Sequence, residues 1–228
     1  MDKQPRYRHE LKYEISFFDY IAMRGRLKAV MQSDPHAIGG KYKIRSIYFD
    51  NYNDKALKEK IYGVQKREKF RIRYYNDDFS FISLEKKMKI NDLCMKASAN
   101  ITEDECRKIL SGDTGQMLAH KDGLVKEFYV KLKSGMLRPK VLVSYTREPY
   151  IYKAGNVRVT FDMDIRTTAF HDRFLEKDVF DIGVADETGK MILEVKFDDF
   201  LPEIIADIVQ VNSRQTAYSK YGACRKFG

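Results

Sequence analysis

The chain of 228 residues carries 42 Lys and Arg against 33 Asp and Glu, a formal net charge of +9, and is 43% hydrophobic. That composition suits one large domain with a core, excludes a disordered or fibrous segment, and favours anionic partners: nucleic acid, nucleotides, polyphosphate or an anionic membrane. No stretch approaches ~20 apolar residues and the opening MDKQPRYRHE is too polar for a signal peptide, so neither a membrane span nor a secretion address is expected, and the cytoplasm is.

In chain order, the first predicted element is a strand over 8–13, where period-2 geometry sets Arg8, Glu10 and Lys12 on one face and Leu11 and Tyr13 on the other. Ser16 with Asp19 three residues on predicts a capping-box start and a helix over 16–32. A strand over 69–74 aligns Lys69, Arg71 and Arg73 opposite Phe70, Ile72 and Tyr74. Over 83–89 the polar set is Ser83, Glu85, Lys87 and Lys89, against Leu84 and Met88, with Lys86 out of pattern. Thr102 and Glu105 predict a helix over 102–111 that Gly112 stops. A third helix is predicted over 115–133, with Leu118, Val125, Phe128 and Leu132 spaced for one buried face. The strand over 157–166 alternates without exception, Arg158, Thr160, Asp162, Asp164 and Arg166 against five apolar residues. A strand over 192–197 turns Glu194 and Lys196 away from Leu193, Val195 and Phe197, and a last helix starts after Pro202 with Ile204, Ile205, Ile208 and Val209. No repeat, low-complexity tract or linker interrupts the series, so a single domain over 1–228 is expected.

Taken singly, each strand fits an ordinary antiparallel strand with one dry and one solvated face. Together they repeat E-x-K, R-x-R and D-x-D pairs where solvated faces usually carry Thr, Ser, Gln and Asn. Closing the sheet with that face inward and helices outside gives a barrel whose lumen is lined by Arg, Lys and acidic residues. Burying so many cations is costly unless an anion and water share the cavity, which points to a polyanionic ligand.

Other residues point less clearly. The histidines His9, His36, His120 and His171 never fall in metal-ligand spacing, and Gly39-Gly40 lacks the G-K-[ST] ending of a P-loop. Cys94, Cys106 and Cys224 are scattered, without CxxC spacing. Asp162 and Asp164 fit either metal ligation or pairing with Arg158 and Arg166; Glu10 and Glu85 fit either ligation or salt bridges to Lys12 and Lys87. The 15 Tyr and 14 Phe invite base stacking, but most alternate onto the apolar face and read as core, so no specific nucleic acid is expected.

The pattern Arg8-x-Glu10-x-Lys12, Ser46-Ile47-Tyr48-Phe49-Asp50-Asn51, Arg71-x-Arg73, Leu84-Glu85-x-Lys87, Arg147 in Tyr-Thr-Arg-Glu-Pro-Tyr, Arg158-Val-Thr-Phe-Asp162, Leu193-Glu194-Val-Lys196 and Ser219-Lys220-Tyr221 resembles the VTC domain of polyphosphate polymerases. That family belongs to the triphosphate tunnel metalloenzymes, alongside the CYTH proteins. The resemblance implies an α+β fold: an eight-stranded antiparallel β-barrel tunnel with a charged lumen, clad by helices. It implies Mn²⁺ or Mg²⁺ held mainly by Glu194, with Lys12, Arg71, Arg73, Lys87, Arg147, Arg158 and Lys196 facing the phosphates. Lys220 matches a lysine of the closing helix and Lys96 another tunnel position; Arg8, Lys69 and Lys89 extend the same cationic face. Arg8 stands where the superfamily's E-x-E-x-K opening has its first glutamate, which suits the VTC branch over two-metal hydrolysis. The implied partners are ATP and polyphosphate or triphosphate, and a peripheral membrane partner protein stays open.

Three functions follow: a metal-dependent polymerase transferring the ATP γ-phosphate to polyphosphate, a hydrolase of tripolyphosphate or nucleoside triphosphates, and a non-catalytic polyphosphate-binding module. The first is expected, through a basic tunnel open at both ends.

Overall fold

The computed structural model describes residues 7–168, 170–184, 189, 191–211 and 214–226. Ten strands form one sheet: β1 (Arg8–Ile15), β2 (Gln32–Ser33), β3 (Tyr42–Asp50), β4 (Lys66–Tyr75), β5 (Asp78–Ile90), β6 (Leu93–Ile101), β7 (Arg138–Tyr152), β8 (Val157–Thr168), β9 (Ile182–Gly183) and β10 (Met191–Phe197). Eight of them close into a ring in the order β7-β3-β4-β5-β6-β1-β10-β8, because β7 pairs with both β3 and β8; the two-residue β2 and β9 are attached outside it. All pairings are antiparallel. The eight-stranded tunnel read from the sequence is therefore present, and closure removes the exposed sheet edges.

Alternation separates the two faces. Outward-facing Phe70, Ile72, Leu84 and Phe49 join one cluster with α3 (Glu103–Ser111) and α4 (Gly123–Ser134), through Cys106, Ile109 and Phe128. Outward-facing Val159, Phe161, Leu193 and Val195 join a second with α1 (Phe17–Val30) and α5 (Glu203–Ile208), through Tyr20, Met23, Leu27 and Ile205. Both capping boxes form: Ser16 accepts from Asp19 and Thr102 from Glu105, and Gly112 ends α3 at φ 89°. Lys86, out of pattern in the sequence, points outward to Glu68 and Glu127.

Several predicted elements differ. The helix expected over 115–133 is broken into a 3₁₀ turn, Gly115–Ala119, and α4, because Asp122 caps Leu124 and starts a new helix. Leu118 is consequently exposed, while Val125, Phe128 and Leu132 are buried as expected. The first helix stops at Val30, since Gln32 and Ser33 pair with β7. The helix after Pro202 is one turn and a half, burying Ile205 and Val209 but leaving Ile204 exposed. The unbroken alternation over 157–166 fails at Asp164, whose φ of 49° sits beside a register shift against β7. Beyond it Ile165 packs against inner residues, and Arg166 turns to Asp181.

Two helices close one end. α2 (Lys55–Ile61) links β3 to β4, and Asp50 anchors it by accepting from the Ala56 and Leu57 amides. α6 (Lys220–Cys224) is not cladding: it packs against the inner side of β7 and β8, with Tyr221 stacked on Tyr48 and donating to Asp50 at 2.7 Å. α6 thus covers the β3, β7 and β8 side of this end.

Candidate functional site

Strand pairing alone brings the charged residues together. Glu10 lies opposite Lys196 and Lys12 opposite Glu194 on β1 and β10, Lys196 opposite Arg158 on β8, and Lys69 opposite Lys87 opposite Lys96 on β4, β5 and β6. Directly paired residues on neighbouring strands share one face of the sheet, so these all project into the ring.

Three clusters result. In the first, Arg71 donates twice to Glu85 at 2.8 and 2.5 Å and to the Tyr48 hydroxyl at 2.8 Å, with Lys96 at 3.1 Å from the same carboxylate. Arg73 bonds Ser46 and the Tyr145 hydroxyl, 3.0 Å. Burial opposes the Glu85 charge, yet Arg71, Arg73 and Lys96 hold it well below the usual carboxylate range. In the second, Arg147 makes a bidentate pair with Asp162 at 2.6 and 2.7 Å, and Lys220 of α6 reaches the same aspartate at 2.5 Å. In the third, Lys12 Nζ lies 2.6 Å from Glu10 and 3.7 Å from Glu194, Lys196 pairs with both, and Lys87 stands 3.5 Å from Glu10. Burial raises both glutamates and the surrounding lysines outweigh it, so both stay ionised. Glu10 raises the Lys87 pKa, but burial and the repulsion of Lys196 and Lys12 leave it lowered.

Lys69 is the odd cation. Its ammonium sits over the Tyr48 ring at 5.6 Å, and no carboxylate among the described residues lies within ion-pair reach. Burial, then Lys87, Lys12 and Arg71 push it down to about 7 against the pull of Tyr48. Burial would raise Tyr48, but Arg71, Lys69 and Arg73 bring it down to about 7.

Other predicted residues sit at the rims. Arg158, 35% exposed in its side chain, donates to Asp34 at 2.7 Å and to the Tyr42 hydroxyl at 2.6 Å. Arg8 reaches Asp198 at 2.9 Å and the Asn156 carbonyl. Lys89 lies near the β5-β6 turn, 3.9 Å from Asp92. The sequence pairing of Glu85 with Lys87 and of Asp162 with Arg158 is corrected, since the register puts Arg71 opposite Glu85 and Arg147 opposite Asp162. Asp164 is exposed and 3.4 Å from Arg166, outside the lumen. The tyrosines read as core are in part lumen groups: Tyr42, Tyr48 and Tyr145 each hold one arginine.

A hard divalent cation fits the third cluster. Such ions take oxygen ligands and keep several waters, and Glu10 Oε2 is buried without a hydrogen-bond partner, beside the ionised Glu194. No group of three or more His, Cys, Asp or Glu able to hold a metal occurs among the described residues, so phosphate and water oxygens would complete the shell around Glu194 and Glu10.

A family model for the VTC domain matches residues 7–227. The chain belongs to the VTC domain family. No curated protein matches this VTC domain by sequence. Among solved structures it is similar to an adenylyl cyclase-like protein from Hippeastrum described as having a dominant triphosphatase activity, at 12% identity over 97% of this chain and 95% of that one, TM-score 0.58. A candidate adenylate cyclase from Bacillus halodurans shares 14% identity over 90% and 87%, TM-score 0.53. A protein from Pyrococcus horikoshii OT3 shares 14% over 97% and 99%, TM-score 0.51. At these identities the likeness is one of fold alone. No helix of the VTC domain, among its described residues, is long and apolar enough to cross a membrane.

Proposed function

We propose that this VTC domain is an inorganic polyphosphate polymerase acting in the cytoplasm as a single domain, with ATP as phosphoryl donor. The observation that carries the reading is the inner face: nine cations, Lys12, Arg71, Arg73, Lys87, Lys96, Arg147, Arg158, Lys196 and Lys220, share the carboxylates of Glu10, Asp34, Glu85, Asp162 and Glu194, and a tenth, Lys69, sits over the Tyr48 ring. A bound polyanion would offset that excess.

Phosphoryl transfer needs positioning and charge neutralisation more than covalent help. Arg71, Arg73 and Arg147 are fixed by Glu85, Ser46, Asp162 and the tyrosines, which leaves their remaining N–H groups pre-aimed at phosphate oxygens. Lys12, Lys87 and Lys196 supply movable point charges. A terminal oxygen of the polyphosphate chain attacks the γ-phosphorus, the bond from γ-phosphorus to the β,γ-bridging oxygen breaks, and ADP leaves with that oxygen. Glu194 with Glu10 would hold Mn²⁺ or Mg²⁺, which would supply neutralisation of the phosphate oxygens. The attacking oxygen is already anionic, so no base is needed, whereas a water nucleophile would have to lose a proton.

Hydrolysis of triphosphate is the second reading, favoured by the Hippeastrum protein's described activity on the same fold. Incubation with ATP and Mn²⁺ separates them. ADP with an acid-labile polymer on a gel supports synthesis; orthophosphate in step with ADP and no polymer overturns it.

A further inference from the structure

α2 starts five residues after β3 ends and stops five before β4 begins, so it lies at the end of the ring that α6 partly covers. Its Lys60 is half-buried and faces Arg67 on β4, Lys89 on β5 and Lys12 on β1. Arg67 and Lys89 are direct cross-strand partners, and two residues further into the ring Lys69 and Lys87 are partners too. Like charges placed directly opposite destabilise a sheet, and here two successive rows repeat the arrangement.

Lys87 of the deeper row has Glu10 at 3.5 Å, but the acids beside Lys60, Arg67 and Lys89 are turned elsewhere or exposed. Glu68, between Arg67 and Lys69, alternates outward to Lys86 and Lys131. Glu59, beside Lys60, pairs with Lys55. Asp92 is 3.9 Å from Lys89 and its side chain is 99% exposed. Burial, with Arg67, Lys12 and Lys89, lowers the Lys60 pKa, the mark of a cation held among cations. The rows lie roughly 7 Å apart along the strands, further than one phosphate of a linear chain spans, so a single polymer leaving the lumen would cross both.

We propose that Lys60, Arg67 and Lys89 form a second anion subsite at the mouth of the ring, which takes the phosphates of a long linear polyphosphate beyond those gripped in the lumen. The subsite rests on the polyphosphate reading above and adds a preference for long chains over triphosphate.

The test is calorimetric affinity of the full chain for triphosphate and for long-chain polyphosphate, in wild type, Lys60→Glu and the Lys60→Ala/Arg67→Ala double variant. Wild type is expected to bind long chains more tightly; the variants should lose about tenfold or more for long chains, the scale of one or two charge-assisted contacts, and stay within about threefold of wild type for triphosphate. Equal losses for both ligands, or no loss for long chains, overturn the subsite while leaving the lumen reading intact. Failure of wild type to bind either ligand overturns both. Circular dichroism and thermal melting of the variants establish that a loss is not unfolding.

Discussion

Arg147 and Asp162 are register partners on β7 and β8 and share two parallel hydrogen bonds of 2.6 and 2.7 Å, both side chains buried. Lys220 adds a third contact from α6, so one carboxylate ties two strands to the C-terminal helix. Removing it takes the nearest counter-charge from two cations and leaves Arg147 only the Glu194 carboxylate at 3.9 Å. Asp162→Ala is expected to cost about 3–5 kcal/mol in urea denaturation, the scale of breaking a buried pair. Added triphosphate should recover more stability in the variant than in wild type. An unchanged midpoint would show that the pair contributes nothing.

Lys69 and Tyr48 set a pH dependence. Both have folded pKa values of about 7, below those of the unfolded chain, so between pH 7 and about 10 the unfolded state binds more protons and the ligand-free protein gains stability as pH rises. A bound polyanion favours protonated Lys69 and disfavours the Tyr48 phenolate, so triphosphate affinity should fall over the same window. Calorimetry at pH 8 in buffers of different ionisation enthalpy should register proton uptake on binding. Tyr48→Phe and Lys69→Met should each reduce that uptake, and wild-type uptake in both variants would rule the pair out.

Glu194→Gln keeps the shape of the third cluster while removing its charge beside Lys12 and Lys196. Turnover with Mn²⁺ is expected to drop about a hundredfold or more, as when one preorganised electrostatic contact to the transition state is lost. Wild-type turnover at the same Mn²⁺ concentration would take Glu194 out of the mechanism.

Depth in the ring should grade the arginines. Arg71→Ala and Arg73→Ala, both buried, are expected to weaken triphosphate binding by about 1.5–3 kcal/mol each. Arg158→Ala, at the rim and held by Asp34, should cost about 1 kcal/mol or less. A larger effect at Arg158 than at Arg71 would place the bound anion at the rim.

The lumen was legible because period-2 alternation converts spacing into facing, and Lys12, Arg71, Arg73, Lys87 and Glu194 all obey it. What escaped reading had a different physical basis. The positive φ of Asp164 inverts the strand after it, and one residue of bulge has no compositional mark. Tyr42, Tyr48 and Tyr145 count as apolar by composition yet use their hydroxyls on arginines. Lys60 lies on a helix, where no strand alternation applies, and only the turn of α2 over the ring brings it beside Arg67 and Lys89. The Asp122 cap was visible as a residue type, but the continuing apolar spacing of Val125, Phe128 and Leu132 masked it.

The placement of α6 makes the ring directional. A linear phosphate polymer is the same read from either end, whereas this ring has Tyr221 and Lys220 set into one side of one end and Arg158 with Asp34 at a rim. Under the proposed polymerase reading, a chain threaded through such a ring would meet different side chains at its two termini, so its orientation would matter although its chemistry has none.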